Sequence, residues 1–205
     1  MRRRHALALV ASALMACSRG RILSYRQYAR VEHETPYVLR FTRERGGLLF
    51  YGSAHTYDPR DAQVGQITDL WTEFGPTLAF NEGGDPPAEA TVAAAVAGFG
   101  ESGLVRHLGR RDGVPARSIE PPMATQADRL RALGFEDEAI KLFFVLRQVP
   151  QHRERTGAAM DDARAVEVIA YFTRATAVLG GERVFAVMGA SHVVVQAPAL
   201  RARLA

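Results

Sequence analysis

Apolar residues along this chain follow two periodicities, one typical of strands and one typical of helices. Two strand-like runs in "YVLRFTRERGGLLFYG" are joined at Gly46 and Gly47, which predicts a β-hairpin. The segment "DAQVGQITDLWTEFG" follows, and its apolar residues recur at helical spacing. The short run "PTLAF" then reads as a strand. Strand, helix and strand in this order predict a βαβ-like unit.

The same alternation continues to the end of the chain. We expect a helix in "PAEATVAAAVAGF", a loop-rich section up to Gly113, and a brief strand "ARSI". Helices are predicted over about 123–133, 136–148 and 160–179, before a last strand "RVFAVMG". This order predicts an α/β fold: a three-layer domain with a mostly parallel central sheet flanked by helices, and an N-terminal β-hairpin.

The N-terminus has the pattern of an export signal. Three arginines precede a short apolar segment over 6–16, too short to span a bilayer and well sized for a signal peptide. It ends in "LMAC", which resembles the lipobox of bacterial lipoproteins and makes Cys17, the only cysteine, the predicted site of lipidation. Ordinary cleavage after Ala13 or Ala16 is the alternative. The predicted organisation is a lipoprotein-type signal peptide over 1–16, a tether over 17–36 and a single domain over 37–205.

Localisation and partners follow from this start and from the composition. A lipid anchor would attach the protein to a membrane facing the periplasm, and Ser18 after the cysteine favours the outer membrane. With 205 residues, 47% of them apolar and 23% charged, the chain suits one well-buried domain. The net charge of +4 owes three charges to the first four residues, and the other arginines are scattered. We therefore expect no nucleic-acid partner.

Polar residues follow four predicted strands at the point where each strand ends. His55 comes after the strand that ends at Gly52, Glu82 after "TLAF", Glu120 after "ARSI" and His192 after "RVFAVMG". In an open parallel sheet, the functional crevice lies at the carboxyl ends of the strands. We therefore expect these four side chains to line one crevice.

Two of these strand ends carry the same motif. "GSAH" occupies 52–55 and "GASH" occupies 189–192, so each strand is followed by glycine, two small residues and histidine. Glycine lets the backbone turn sharply and approach a ligand closely. One GxxH motif is a weak signal, but two of them after buried strands, with glutamates between, indicate a common site.

These segments resemble the superfamily of Tiki/TraB/GumN and erythromycin esterase/ChaN proteins. "LLFYGSAHTYDP" is similar to its opening motif, "PTLAFNEGG" to the stretch with its acidic residue, and "RVFAVMGASHVVVQAPALRARL" to its closing motif. The likeness covers about residues 38–205. It places the family's two histidines and its glutamate on His55, His192 and Glu82, and offers Arg155 for the arginine that precedes the long helix.

The resemblance implies more than one chemistry. The Tiki branch implies a metal-dependent hydrolase, in which His55, Glu82, Glu120 and His192 would hold Zn²⁺, Mn²⁺ or a similar ion that activates water. The erythromycin esterase branch implies a histidine general base oriented by a carboxylate, with Arg155 stabilising an oxyanion. The ChaN branch implies a haem-binding lipoprotein with histidine axial ligands.

The predicted function is therefore an exported hydrolase that acts on an ester or amide bond of a small-molecule or peptide substrate. The alternatives are the haem-binding lipoprotein and a non-catalytic interaction protein on the same fold. The glutamates favour the hydrolase, because haem ligation needs no acidic groups. Three further histidines, His33, His107 and His152, follow no predicted strand, and we expect them to face solvent.

Overall fold

Strands and helices alternate through the residues that the computed structural model describes, which are 21–132, 134–147 and 181–204. The strands are β1 (Tyr37–Thr42), β2 (Gly47–Ser53), β3 (Leu78–Asn81), β4 (Ala116–Ser118) and β5 (Arg183–Gly189). The helices are α1 (Tyr25–Tyr28), α2 (Ala62–Phe74), α3 (Val92–Asp112), α4 (Met123–Ala132), α5 (Asp137–Arg147) and α6 (Ala190–Leu204). The helix predicted over 160–179 lies outside the described residues.

The strands form one sheet in the order β1-β2-β5-β3-β4. β1 and β2 pair antiparallel as the predicted hairpin, and β2, β5, β3 and β4 run parallel. Parallel neighbours end at the same edge of a sheet, so the carboxyl ends of four strands lie side by side. The α/β prediction with a mostly parallel sheet is confirmed.

Both faces of the sheet are buried. Leu48 and Phe50 of β2 pack in a cluster with residues of α6, while Leu49 and Tyr51 pack on the opposite face with residues of α2 and α3. A strand covered on both faces needs a continuous apolar run, which explains why β2 and β5 do not alternate in polarity. The helices on the two faces complete the three layers.

Helix α3 differs from the prediction. It continues to Asp112 through the section expected to be loop-rich, with a kink where Phe99 and Gly100 leave helical geometry. Gly100 has φ 58° and ψ −144°, a conformation that favours glycine. After the kink the helix buries a second apolar stripe on the sheet. This burial outweighs the local preference of three closely spaced glycines for a loop.

The expectation that His107 faces solvent was wrong. It lies in the second half of α3, is buried, and its Nδ1 is 2.8 Å from the carbonyl oxygen of Glu89. His33 is half-buried, with Nε2 3.0 Å from the Tyr28 hydroxyl. His152 lies outside the described residues.

Part of the predicted tether packs on the domain. Ile22, Leu23 and Tyr28 contact Val195 of α6, and the Leu23 N–H donates to the Val195 carbonyl at 2.8 Å. Within the described ranges, no helix combines the length and the apolar character needed to cross a membrane.

The close packing of the two halves of α3 depends on Gly103. A Cβ there would overlap the carbonyl oxygen of Ala95 and lie 2.9 Å from Phe99 Cβ. We expect Gly103→Ala to lower the free energy of unfolding by about 2 kcal/mol or more, measured by urea denaturation. Gly98→Ala is the control, because a Cβ at Gly98 meets nothing within 4 Å. Equal stability of the two variants would contradict this packing.

Candidate active site

The two GxxH motifs leave the sheet side by side. β2 and β5 are parallel neighbours, and Ser53 of the first motif pairs with Gly189 of the second. β3 lies on the other side of β5, where Asn81 pairs with Val187. His55, Glu82 and His192 therefore emerge from three adjacent strands at one edge.

Beyond the strands, the two motifs take different paths. The first continues into a loop, in which His55 has φ 56°, a value in the left-handed region. The second enters α6 at Ala190, so His192 stands in the first turn of that helix. The same sequence motif thus presents one histidine from a loop and one from a helix.

The first glycine of each motif allows a close approach. A Cβ at Gly52 would lie 2.8 Å from Ala190 Cα, so glycine makes room for the start of α6. A Cβ at Gly189 would lie 2.7 Å from His55 Nε2 and 3.6 Å from Glu82 Oε2. The imidazole of the first motif therefore lies directly over the glycine of the second, next to the glutamate.

Glu82 and His192 form a carboxylate–imidazole pair that is largely buried. His192 Nε2 lies 3.0 Å from Glu82 Oε1, and the two side chains are 12% and 15% exposed, respectively. Glu82 Oε2 accepts the Gly189 N–H at 2.7 Å. Burial alone would raise the pKa of the Glu82 carboxyl, but the His192 ring, the Gly189 N–H and the more distant His55 outweigh it and lower the pKa to about 2. Glu82 is thus a fixed anion at neutral pH.

His55 forms a second, more open pair with Glu101 of α3. His55 Nδ1 lies 3.6 Å from Glu101 Oε2, and the His55 side chain is 55% exposed whereas that of Glu101 is 9% exposed. Interaction with the Glu101 carboxylate raises the pKa of His55 against the opposing effect of burial, and the charge of Glu82 adds to the increase. The accessible imidazole thus has its basicity increased by two carboxylates.

Sequence reasoning did not predict Glu101. It lies within α3, away from the ends of strands, directly after the kink at Gly100. The signal available in the sequence was a glutamate at a position that the helical pattern assigns to the buried face. The nearby Gly98, Gly100 and Gly103 mark an interrupted helix.

The remaining predicted site residues are Glu120, Arg155 and Cys17. Glu120 follows β4, is half-buried, and its backbone N–H donates to Ser118 Oγ at 3.1 Å. The His192–Glu82 and His55–Glu101 pairs are formed without it. Arg155 and Cys17 lie outside the described residues, so their roles stay predictions.

The donors at this edge have the chemistry that Zn²⁺ or Mn²⁺ prefers, namely imidazole nitrogens and carboxylate oxygens. As arranged, however, Glu82 directs both oxygens to other partners, the Gly189 N–H and the His192 ring. No group of three or more His, Cys, Asp or Glu side chains among the described residues is positioned to hold a metal ion. In the arrangement seen here these side chains form no metal site, and a bound metal stays a prediction.

No protein-family model, curated protein or solved structure matches the chain. The superfamily resemblance, the haem alternative and the lipid anchor therefore stay predictions. What the structure defines is an α/β domain with two imidazole–carboxylate pairs at the carboxyl edge of its sheet. One pair is accessible to solvent and the other is buried, an arrangement suited to proton transfer beside a fixed charge.

The contact between His55 and Gly189 gives a direct test of this geometry. We expect Gly189→Ala to displace the His55 imidazole, because the added methyl group would occupy its place. The displacement is measured as a change in the His55 ¹H–¹⁵N imidazole signals. Gly65→Ala, in α2 with open space around the glycine, is the control and should leave these signals unchanged. Unchanged His55 signals in Gly189→Ala would contradict the contact.

Proposed function

We propose that this protein is a hydrolase that cleaves an ester or amide bond, with His55 as the general base. One observation carries the proposal: the exposed His55 imidazole lies over Gly189, beside the buried Glu82–His192 pair. A base must reach both solvent and substrate, and His55 has the accessibility that His192 lacks.

The charges at the carboxyl edge of the sheet suit His55 to the role of general base. A general base works best when its pKa lies near the working pH, and the pKa of His55 is raised from an ordinary value of 6.5 by Glu101. Glu82 carries its charge at all physiological pH values. It therefore stabilises the imidazolium that forms when His55 accepts a proton.

The proposed reaction needs one water molecule. His55 Nε2 takes a proton from the water as its oxygen bonds to the substrate carbonyl carbon. The bond from that carbon to the leaving oxygen or nitrogen then breaks, and the leaving group receives the proton from His55. The base is regenerated, and the products are an acid and an alcohol or amine.

The negative charge that develops on the carbonyl oxygen needs a donor. Backbone N–H groups in the first turn of a helix lack partners within the helix and favour negative charge. α6 starts at Ala190, immediately after the β5 residue that faces His55, and is the proposed source of such donors. Arg155 is the donor predicted from the resemblance.

We further propose that the chain is an exported lipoprotein of the Tiki/TraB/GumN and erythromycin esterase/ChaN superfamily. The support is the pairing of its two GxxH motifs on adjacent parallel strands with a strand-exit glutamate beside them. Its substrate would then be a small molecule or peptide of the cell envelope.

Turnover of a simple ester tests the hydrolase proposal. The full chain in a mild detergent should hydrolyse p-nitrophenyl acetate, and His55→Ala should lower kcat/KM roughly 100-fold, the contribution of a general base. His107→Gln is the matched control. It replaces another histidine, keeps a hydrogen-bond donor for Glu89, and should retain wild-type activity.

Two measurements on the same sample decide between the alternatives. Stoichiometric zinc or manganese, removed by a chelator together with activity, would assign the chemistry to a metal. A haem absorption band that appears on adding haem and is abolished in His55→Ala, without ester hydrolysis, would overturn the hydrolase proposal in favour of haem binding.

A further inference from the structure

Glu101 occupies an unusual position for a glutamate. It is buried at the point where α3 resumes after its kink, with Gly100 immediately before it at φ 58°. A buried carboxylate is costly unless its oxygens are paired. The partners of Glu101 therefore indicate why an acidic residue is present.

Each oxygen of Glu101 faces the loop of the first GxxH motif. Oε1 accepts the backbone N–H of Thr56 at 2.8 Å, and Oε2 lies 3.6 Å from His55 Nδ1. The helix thus contacts two consecutive residues of the loop through one side chain. A neutral side chain with an oxygen atom could accept the Thr56 N–H equally well, so this bond alone does not explain a charged residue at position 101.

The loop needs such support because of its backbone. Among the residues that the structure describes, His55 is the only non-glycine residue with a positive φ. A non-glycine residue keeps this unfavourable conformation only where its surroundings enforce it. The Thr56 N–H bond to Glu101 and the bond from the Ala54 N–H to Gln63 Oε1, 2.8 Å long, hold the loop on both sides of His55.

We propose that Glu101 is a positioning residue that sets the tautomer of His55. At 3.6 Å the contact between Glu101 Oε2 and His55 Nδ1 is electrostatic, and a carboxylate oxygen attracts an N–H but repels a nitrogen lone pair, so the neutral imidazole carries its proton on Nδ1. Nε2 then keeps its lone pair and points to the Gly189 edge. This inference rests on the proposed function in that Nε2 is the base of the reaction.

Glu101→Gln separates this role from a structural one. Glutamine keeps an oxygen to accept the Thr56 N–H, so the loop and the fold should be preserved. Its amide nitrogen, however, would then face His55 Nδ1 as a donor. The imidazole should respond by moving its proton to Nε2, which removes the lone pair needed for catalysis.

The tautomer is read from the ¹⁵N imidazole shifts of the full chain labelled at histidine, at a pH of about 9 where imidazole is neutral. The His55 signals are assigned by their loss in His55→Ala. We expect Nδ1–H in the wild type and Nε2–H in Glu101→Gln. The kcat for p-nitrophenyl acetate should fall at least roughly 100-fold, the contribution of a general base, with KM little changed and the melting temperature preserved. Glu73→Gln, an exposed glutamate of α2, is the control and should behave as the wild type.

Glu101→Asp provides the second variant. It retains the charge and should retain the Nδ1–H tautomer, which keeps the test valid if Glu101→Gln does not fold. The same tautomer in the wild type and Glu101→Gln would overturn the inference, as would Nε2–H in Glu101→Asp. Because the tautomer is read without substrate, an inactive wild type with the expected tautomers would reject the proposed hydrolysis and leave the role of Glu101 intact.

Discussion

The candidate site depends on the contacts of the Glu82 carboxylate, which is largely buried. One oxygen accepts the Gly189 N–H and the other pairs with His192, so a single side chain joins the end of β3 to the start of α6. An anion with little solvent exposure is stable only with such partners. Its charge also acts on His55, which lies over the same glycine. The histidines of both motifs therefore respond to one fixed charge.

The parallel pairing of β2 and β5 explains why the histidines of two similar motifs differ in their exposure to solvent. Ser53 pairs with Gly189, so the motifs are offset by one residue at the edge of the sheet. The second motif starts a helix and buries its histidine, whereas the first enters a loop and leaves His55 exposed. Glycine at each strand end permits the close approach of the two paths. One imidazole is therefore accessible to solvent, while the other is held against the Glu82 carboxylate.

Much of this arrangement follows from local sequence patterns, and the rest depends on tertiary contacts. Continuous apolar runs identify β2 and β5, and the residues directly after them identify His55 and His192, because parallel strands expose their ends at one edge. This rule about strand ends cannot identify Glu101, because Glu101 reaches the site from the middle of a helix. The helix itself was underestimated, since the glycines around Phe99 favour a loop locally and only burial against the sheet extends α3 beyond them. The wrong expectation for His107 has the same cause, because this buried residue lies in the part of α3 that was expected to be a loop.

A double-mutant cycle on the free energy of unfolding at neutral pH tests most directly whether Glu82 joins the second motif to β3. The variants are Glu82→Gln, His192→Gln and their combination, and the reference is the same cycle on the exposed Arg40–Glu73 pair. A coupling energy of at least about 1 kcal/mol is expected for the buried pair, against less than about 0.5 kcal/mol for the exposed pair. A coupling between Glu82 and His192 no larger than that between Arg40 and Glu73 would contradict a site organised around the Glu82 carboxylate.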